Sequence, residues 1–417
     1  MADTPRACHI KCRMQISEPG TAPRLQSVET RPLSEATVWL MAVTVGVIVA
    51  NIYYIQPLLK VIAGNFGLSV GQAGTLAMLS QVGTALGMLF FVPLGDKFER
   101  RSLILWLLMG IFVALVGMAL APNVLCLAVA AFAVGAFAAN VHVVVPFAAH
   151  LAAPTQRGRV VGTVVAGILI GVLLARTFSG TVGAWLGWRA VYALAAGAML
   201  VLAIVVRLQL PTSHAETAIT WRELMSSILT LVRQHSLLRE SALLGALLFA
   251  GFSAFWTTLV FFLAEPPYRF ANPSSAAGLF GLVGALGAIA APGIGYLADK
   301  HGPRFTVRIA LWLTMFSFLL LGLLGRNLAG LIAGVILMDL GVQSGHVSNQ
   351  TRIYAIDPGA RSRLNTVYMF CCFVGGGLGS LCGAICWHWA GWWGVCGVGS
   401  AAMVLALAVE FVHGSRG

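Results

Sequence analysis

The chain has 417 residues, of which 59% are hydrophobic and only 10% charged, with a formal net charge of +12. Soluble domains carry about 25% charged residues, so too little polar side chain is present to coat a water-soluble globule of this length. A mean hydropathy of +0.87 asks for lipid as the solvent, where a basic balance is explained without nucleic acid.

Residues 1–34 are polar, contain prolines and lack the apolar h-region of a cleavable signal. They read as a disordered cytoplasmic tail, with Met14 as an alternative start, and Cys8, His9 and Cys12 lack the second ligand pair a metal site needs. Apolar runs of the roughly 20 residues that cross a bilayer follow at 36–59, 73–94, 102–121, 124–149, 160–184 and 190–207. A polar stretch with Pro211, His214, Glu216, Trp221, Arg222 and Glu223 reads as a partly helical linker. Further runs fall at 240–264, 276–297, 305–325, 328–350, 364–387 and 392–412. The expected organisation is a tail (1–35), a six-helix bundle (36–207), a cytoplasmic linker (208–239) and a second six-helix bundle (240–413). Six of the eight cysteines lie in apolar runs and read as small buried thiols.

An offset of 204 residues pairs the halves: Gly74 with Gly278, His142 with His346, Arg157 and Arg159 with Arg361 and Arg363, Trp188 with Trp392. Asp96 in PLGDKFERR matches Asp299 in GYLADKHGPR one residue off that register. Two copies with an even number of spans keep one orientation in the bilayer, with a cleft between them that can open to either side. The fold class expected is all-α: twelve transmembrane helices in two bundles related by a parallel repeat, the architecture of a secondary transporter. With the N-terminus inside, 21 of the 26 Lys and Arg fall in cytoplasmic segments, the positive-inside bias that sets orientation. These cations face anionic headgroups.

The chain resembles the major facilitator superfamily after residue 35. The family's G-x-L-a-D-r-x-G-r-[KR] loop is matched best by Gly295, Leu297, Ala298, Asp299, Lys300, Gly302 and Arg304. The first copy keeps Asp96, Lys97, Arg100 and Arg101 but has Val92 and Glu99 where glycines belong. The strings NIYYIQPLL, ARTFSG, DLGVQSGHVSNQTRIYA and RSRLNTVYM resemble a bacterial, drug-efflux-like branch. Independently of the family, a carboxylate beside arginines at a helix end holds a neighbouring helix by its dipole and by charge-assisted hydrogen bonds. Asp96, Arg100 and Arg101, with Asp299 and Arg304, are therefore candidates for a cytoplasmic latch; the alternative is a solvated loop with topological charges only. The antiporter Gly-Pro pair of span 5 is replaced by Ala175-Arg176, and no basic residue stands in the arginine-motif region of span 4, 128–135.

An ionisable side chain at bilayer depth is costly, which makes each one a functional candidate. Arg176, two thirds along span 5, cannot discharge by losing its proton. It must find an anion: a substrate group, Asp339, or backbone carbonyls. Its repeat counterpart is Ser380, so it breaks the symmetry. Asp339, near the middle of span 10, either exchanges protons as a coupling site must or is a permanently protonated or ion-paired structural aspartate. His142 and His346 hold equivalent places in spans 4 and 10, and the resemblance turns both toward a central cavity as proton carriers or substrate donors; lone histidines on apolar helices are otherwise satisfied core residues. Asn140 precedes His142 by two. Span 1 offers Asn51, Tyr53, Tyr54 and Gln56; span 7 offers Phe252, Phe255, Trp256 and Thr258. Aromatic walls with a few amides suit an amphipathic, ring-bearing substrate, although such stripes also serve packing and lipid contact. Asp339, His142 and His346 are thus the proton-coupling candidates, and Arg176, Asn51, Tyr54, Gln56, Asn140 and Trp256 the substrate-binding candidates. Gly167, Gly171 and Ala175, and Gly375, Gly379 and Gly383, read as close-packing faces of spans 5 and 11.

The function expected is secondary active transport of a small organic molecule by alternating access, foremost proton-coupled efflux of amphipathic, drug-like compounds. The alternative is uptake, by proton symport or facilitated diffusion, of an organic anion or nutrient. A non-transporting sensor on the same bundle would call for an appended cytoplasmic domain, for which the tail and linker leave little room. The sequence holds no glycine loop with lysine to cradle a nucleotide and no catalytic or metal constellation, so neither an enzyme nor a cofactor is expected. The energy source expected is the proton gradient. Partners are a small molecule and membrane lipid, with no nucleic acid. The protein is expected to act as a monomer in a bacterial inner membrane, both termini cytoplasmic.

Overall fold

The computed structural model describes residues 34–153, 155–212, 221–284 and 302–414. Cys8, His9 and Cys12 lie outside them, as does Asp299. All regular structure in the described residues is helical, and the described residues belong to one compact unit.

Ten described helices are long and apolar enough to cross a bilayer. Spans 1–6 are Glu35–Phe66, Val70–Gly95, Arg100–Leu120, Val124–Leu151, Arg157–Leu186 and Trp188–Gln209. The linker helix Trp221–Gln234 leads to span 7, Ser236–Phe262; spans 9 and 10 are Pro303–Leu324 and Leu328–Tyr354. The last helix, Arg361–Val412, covers 52 residues. It is broken at Ala390 and Gly391 (φ −136° and 53°), which divides it into spans 11 and 12. Span 8 opens at 273 and is described to 284. Each of the twelve apolar runs therefore falls on a helix, the eighth in its described part.

The repeat extends to the helix ends. Asn123 and Asn327, 204 residues apart, both N-cap their helices with the side-chain oxygen, accepting from the amides of Cys126 and Ala329. Gly187 and Gly391 both sit at positive φ, 84° and 53°, a conformation that glycine adopts without penalty. Each turn is followed by a tryptophan: Trp188 Nε1 donates to Asn65 Oδ1 at 2.6 Å and Trp392 Nε1 to the Leu321 carbonyl at 2.9 Å. Span 1 is interrupted at Tyr54, because Pro57 has no amide hydrogen to return to the carbonyl of Tyr53.

Small residues set the packing within each half. Gly167 and Gly171 of span 5 meet the backbone of Ala42 and Gly46 in span 1, and Gly375 and Gly379 of span 11 meet that of Ala246 and Ala250 in span 7. On the span 1 and span 7 side the contacts are displaced by 204, Ala42 to Ala246 and Gly46 to Ala250, while the glycines that meet them are displaced by 208, one helical turn further along span 11. Close approach of bare backbones is how membrane helices associate when lipid supplies no hydrophobic drive.

Buried charge ties the C-terminal half together. Arg352 of span 10 pairs with Glu240 of span 7 at 2.7 Å, their side chains 5% and 6% exposed. Arg352 is one of the cations counted on the cytoplasmic side, and it is buried there because a carboxylate in span 7 receives it. Arg308 Nε and Nη2 donate to Glu410 of span 12 at 3.1 and 2.9 Å.

A charged cluster between the two halves

Arg176 projects from span 5 into the boundary between the halves and is 3% exposed. Its Nε donates to Gln56 Oε1 of span 1 at 2.9 Å. Three rings surround the guanidinium: Trp256 with its centroid 3.9 Å from Cζ, Tyr53 at 5.0 Å and Phe252 at 5.4 Å. Ring faces attract a cation more strongly once it is desolvated, so this cage holds a charge that span 5 cannot otherwise bury.

Asp339, 5% exposed, approaches the same place from span 10, close enough to interact with Arg176 through space. The two do not form an ion pair: among the described residues no carboxylate oxygen stands within the 4.0 Å of a salt bridge from Arg176. Arg176 Nη2, Asp339 Oδ2 and Trp256 Nε1 are all buried with no hydrogen-bond partner. Buried polar atoms are nearly always paired, so three orphans in one cluster mark a place built for something else.

Span 8 is what lets both charges in. A Cβ on Gly281 would stand 3.0 Å from Arg176 Cβ, and one on Gly284 would stand 2.8 Å from Asp339 Oδ2. Residues three apart share a helix face, so Arg176 and Asp339 abut one bare stripe about one turn apart.

The other candidates divide. Gln56 and Trp256 belong to the cluster. The tyrosine that meets Arg176 is Tyr53, not Tyr54, which packs on Phe178 at 5.6 Å between centroids; neighbours on a helix point about 100° apart. Asn51 turns inward within its own half, its Nδ2 donating to the Val47 and Ile48 carbonyls at 2.8 and 3.3 Å. Asn140 Nδ2 donates to the Ile104 carbonyl of span 3 at 3.1 Å. Neither amide nitrogen faces the cluster. His142 and His346 are half-buried and near enough to interact with each other. His346 Nδ1 lies 3.1 Å from Tyr368 Oη.

Of the latch residues, Asp299 and the side chain of Asp96 lie outside the described residues. Arg100 Nε donates to the Gly95 carbonyl at 3.4 Å. Arg101 Nη1 reaches the Leu210 carbonyl at the end of span 6, 3.0 Å away. Arg304 pairs with Glu410 at 3.5 Å. Glu99, which departs from the family's glycine, N-caps span 3 by accepting from the amides of Arg101 and Ser102.

At the opposite corner stands a neutral knot that the sequence did not reveal. Gln81 Nε2 of span 2 donates to Ser380 Oγ of span 11 at 2.8 Å, and Ser253 Oγ of span 7 donates to Gln81 Oε1 at 3.1 Å. Thr257 Oγ1 donates to Ser380 Oγ at 2.9 Å. The signal that pointed here was the offset, which pairs Ser380 with Arg176 and Thr257 with Tyr53.

Two repeated bundles of membrane-length helices closing on a charged cluster define a multi-pass membrane transporter. The sequence model of the Major Facilitator Superfamily matches residues 41–295. An uncharacterized transporter of Escherichia coli O157:H7, YgaY, is 41% identical over 381 residues, covering 90% of this chain and 95% of that one. A chloramphenicol resistance protein of Streptomyces lividans is 29% identical over 225 residues, 53% of this chain and 56% of its own. Among solved structures, a bacterial homolog of the human lysosomal transporter Spinster, inward-facing and occupied, aligns with a TM-score of 0.73 at 14% identity, over 90% of this chain and 96% of that one. The chain belongs to the Major Facilitator Superfamily and is a transporter, not an enzyme.

Proposed function

We propose that this transporter is proton-coupled and carries a small, ring-bearing organic molecule past the Arg176–Asp339 cluster by alternating access. It needs no cofactor and works as a monomer in a bacterial inner membrane, both termini cytoplasmic. The observation that carries this reading is the pair of opposite charges held at the seam of the halves without touching. Asp339 is a proton carrier, and the caged Arg176 senses whether Asp339 is charged. A drug-like cargo is supported by the likeness to the chloramphenicol resistance protein of Streptomyces lividans. Uptake of an organic anion is supported by the unpartnered Nη2 of Arg176.

The test is transport by the purified chain in vesicles with a pH gradient of either sign. Accumulation should follow the gradient, and Asp339→Asn should abolish that drive while sparing substrate exchange. Undiminished gradient-driven transport in Asp339→Asn removes Asp339 from the coupling.

A further inference from the structure

We infer that the group this site recognises is a carboxylate on an aromatic body, received by Arg176 Nη2 and Trp256 Nε1; the inference rests on the transport reading above and names its substrate class. Both atoms are donors, both are buried and both lack a partner. The groups that carry them are stacked, Cζ to ring centroid 3.9 Å. A carboxylate offers two acceptor oxygens on one carbon, and arginine binds such a group with geometric as well as charge preference. Tyr53 and Phe252 supply apolar wall beside it. A cationic amine could reach only the unpartnered Asp339 Oδ2, beside a guanidinium that repels it and that already occupies the ring faces.

The sign of coupling follows. Among the described residues, the titratable group facing Asp339 from another span is Arg176, itself beside the phenol of Tyr53; Gly284 of span 8 stands against the carboxylate. An anion placed on Arg176 sits best when Asp339 carries a proton, and by linkage a protonated Asp339 favours the anion. Anion and proton therefore load together and travel the same way. A cationic substrate would expel the proton and be exchanged against it.

The experiment measures binding of benzoate, benzamide and benzylamine to the purified full chain between pH 5 and 9. Benzoate should bind and benzamide should not. Benzoate affinity should fall as pH rises, by up to about tenfold per unit once Asp339 is ionised. Asp339→Asn should keep benzoate binding but flatten its pH profile. Arg176→Gln should weaken benzoate by at least about thirtyfold, and Trp256→Phe by about tenfold. If Arg176→Gln does not fold, Arg176→Lys serves, since it keeps the charge and loses the fork. Undiminished benzoate affinity in the arginine variants, a pH-independent wild type, or preference for benzylamine overturns the inference. Benzoate binding with no coupled transport sinks only the transport reading; gradient-driven movement of benzylamine without carboxylate binding sinks only this one.

Discussion

Arg176 and Ser380 occupy the same place in the two halves and face the same residue type. The Arg176 carbonyl lies 2.7 Å from where a Cβ on Gly278 would stand, and the Ser380 carbonyl 3.1 Å from where one on Gly74 would stand. Spans 5 and 8 thus meet as spans 11 and 2 do, in a backbone contact repeated across the seam. Only the side chains differ: a caged cation at one corner, a hydroxyl in a hydrogen-bonded knot at the other.

The neutral corner should hold the halves together. Gln81→Leu removes the hydrogen bonds to Ser380 and Ser253 and leaves their hydroxyls buried, at a cost of about 1–3 kcal/mol. A fall in melting temperature in detergent is expected, with Arg176-dependent binding intact. An unchanged melt would assign the knot no holding role.

Bulk at either contact glycine should wedge the seam. Gly74→Val and Gly278→Val drive side-chain atoms into facing backbone, and overpacking costs about 1–3 kcal/mol. Both variants should insert in the membrane yet transport poorly. Wild-type rates in either would show that the seam tolerates separation.

Gly284→Ala isolates geometry from charge. The added methyl would stand 2.8 Å from Asp339 Oδ2, displacing the carboxylate without removing it. Gradient-driven transport should drop severalfold while expression and melting change little. A drop confined to stability would mean that the carboxylate's position does not matter.

Buried and exposed ion pairs should behave differently. Replacing one partner of the Glu240–Arg352 pair, as in Arg352→Met, strands a buried charge and is expected to cost about 3–5 kcal/mol. Glu35 and Arg159 also pair, at 3.1 Å, but with side chains 81% and 80% exposed, where such pairs contribute little. Arg159→Ala should melt as the wild type does. Equal losses in both variants would contradict this division.

Arg176 and Asp339 were legible in the sequence because each is an expensive group in an apolar run, and cost is visible without a fold. Asp339 was offered only as one of several partners for Arg176, and the two stand near each other across the seam without pairing. Tyr53 against Tyr54 could not be settled, since the interruption at Pro57 decides which face turns inward. Asn51 and Asn140 drew notice because each is polar in a span; the amide nitrogen of Asn51 donates within its own helix and that of Asn140 to a carbonyl of span 3. Gln81, Ser253 and Thr257 went unseen for the opposite reason. A single neutral polar residue leaves no periodicity and little cost, and its meaning exists only once the other half is packed against it. Gly281 and Gly284 are more hidden still, since their contribution is an absence of atoms.

The break at Gly187, matched at Gly391, returns each half upon itself in the same way, so the scaffold is close to even-handed. Its charge is not. A passenger with two unlike ends that entered the seam would find a cation at one corner and, among the described residues, none at the other. Direction in such a carrier begins with the orientation of the cargo before any helix has moved.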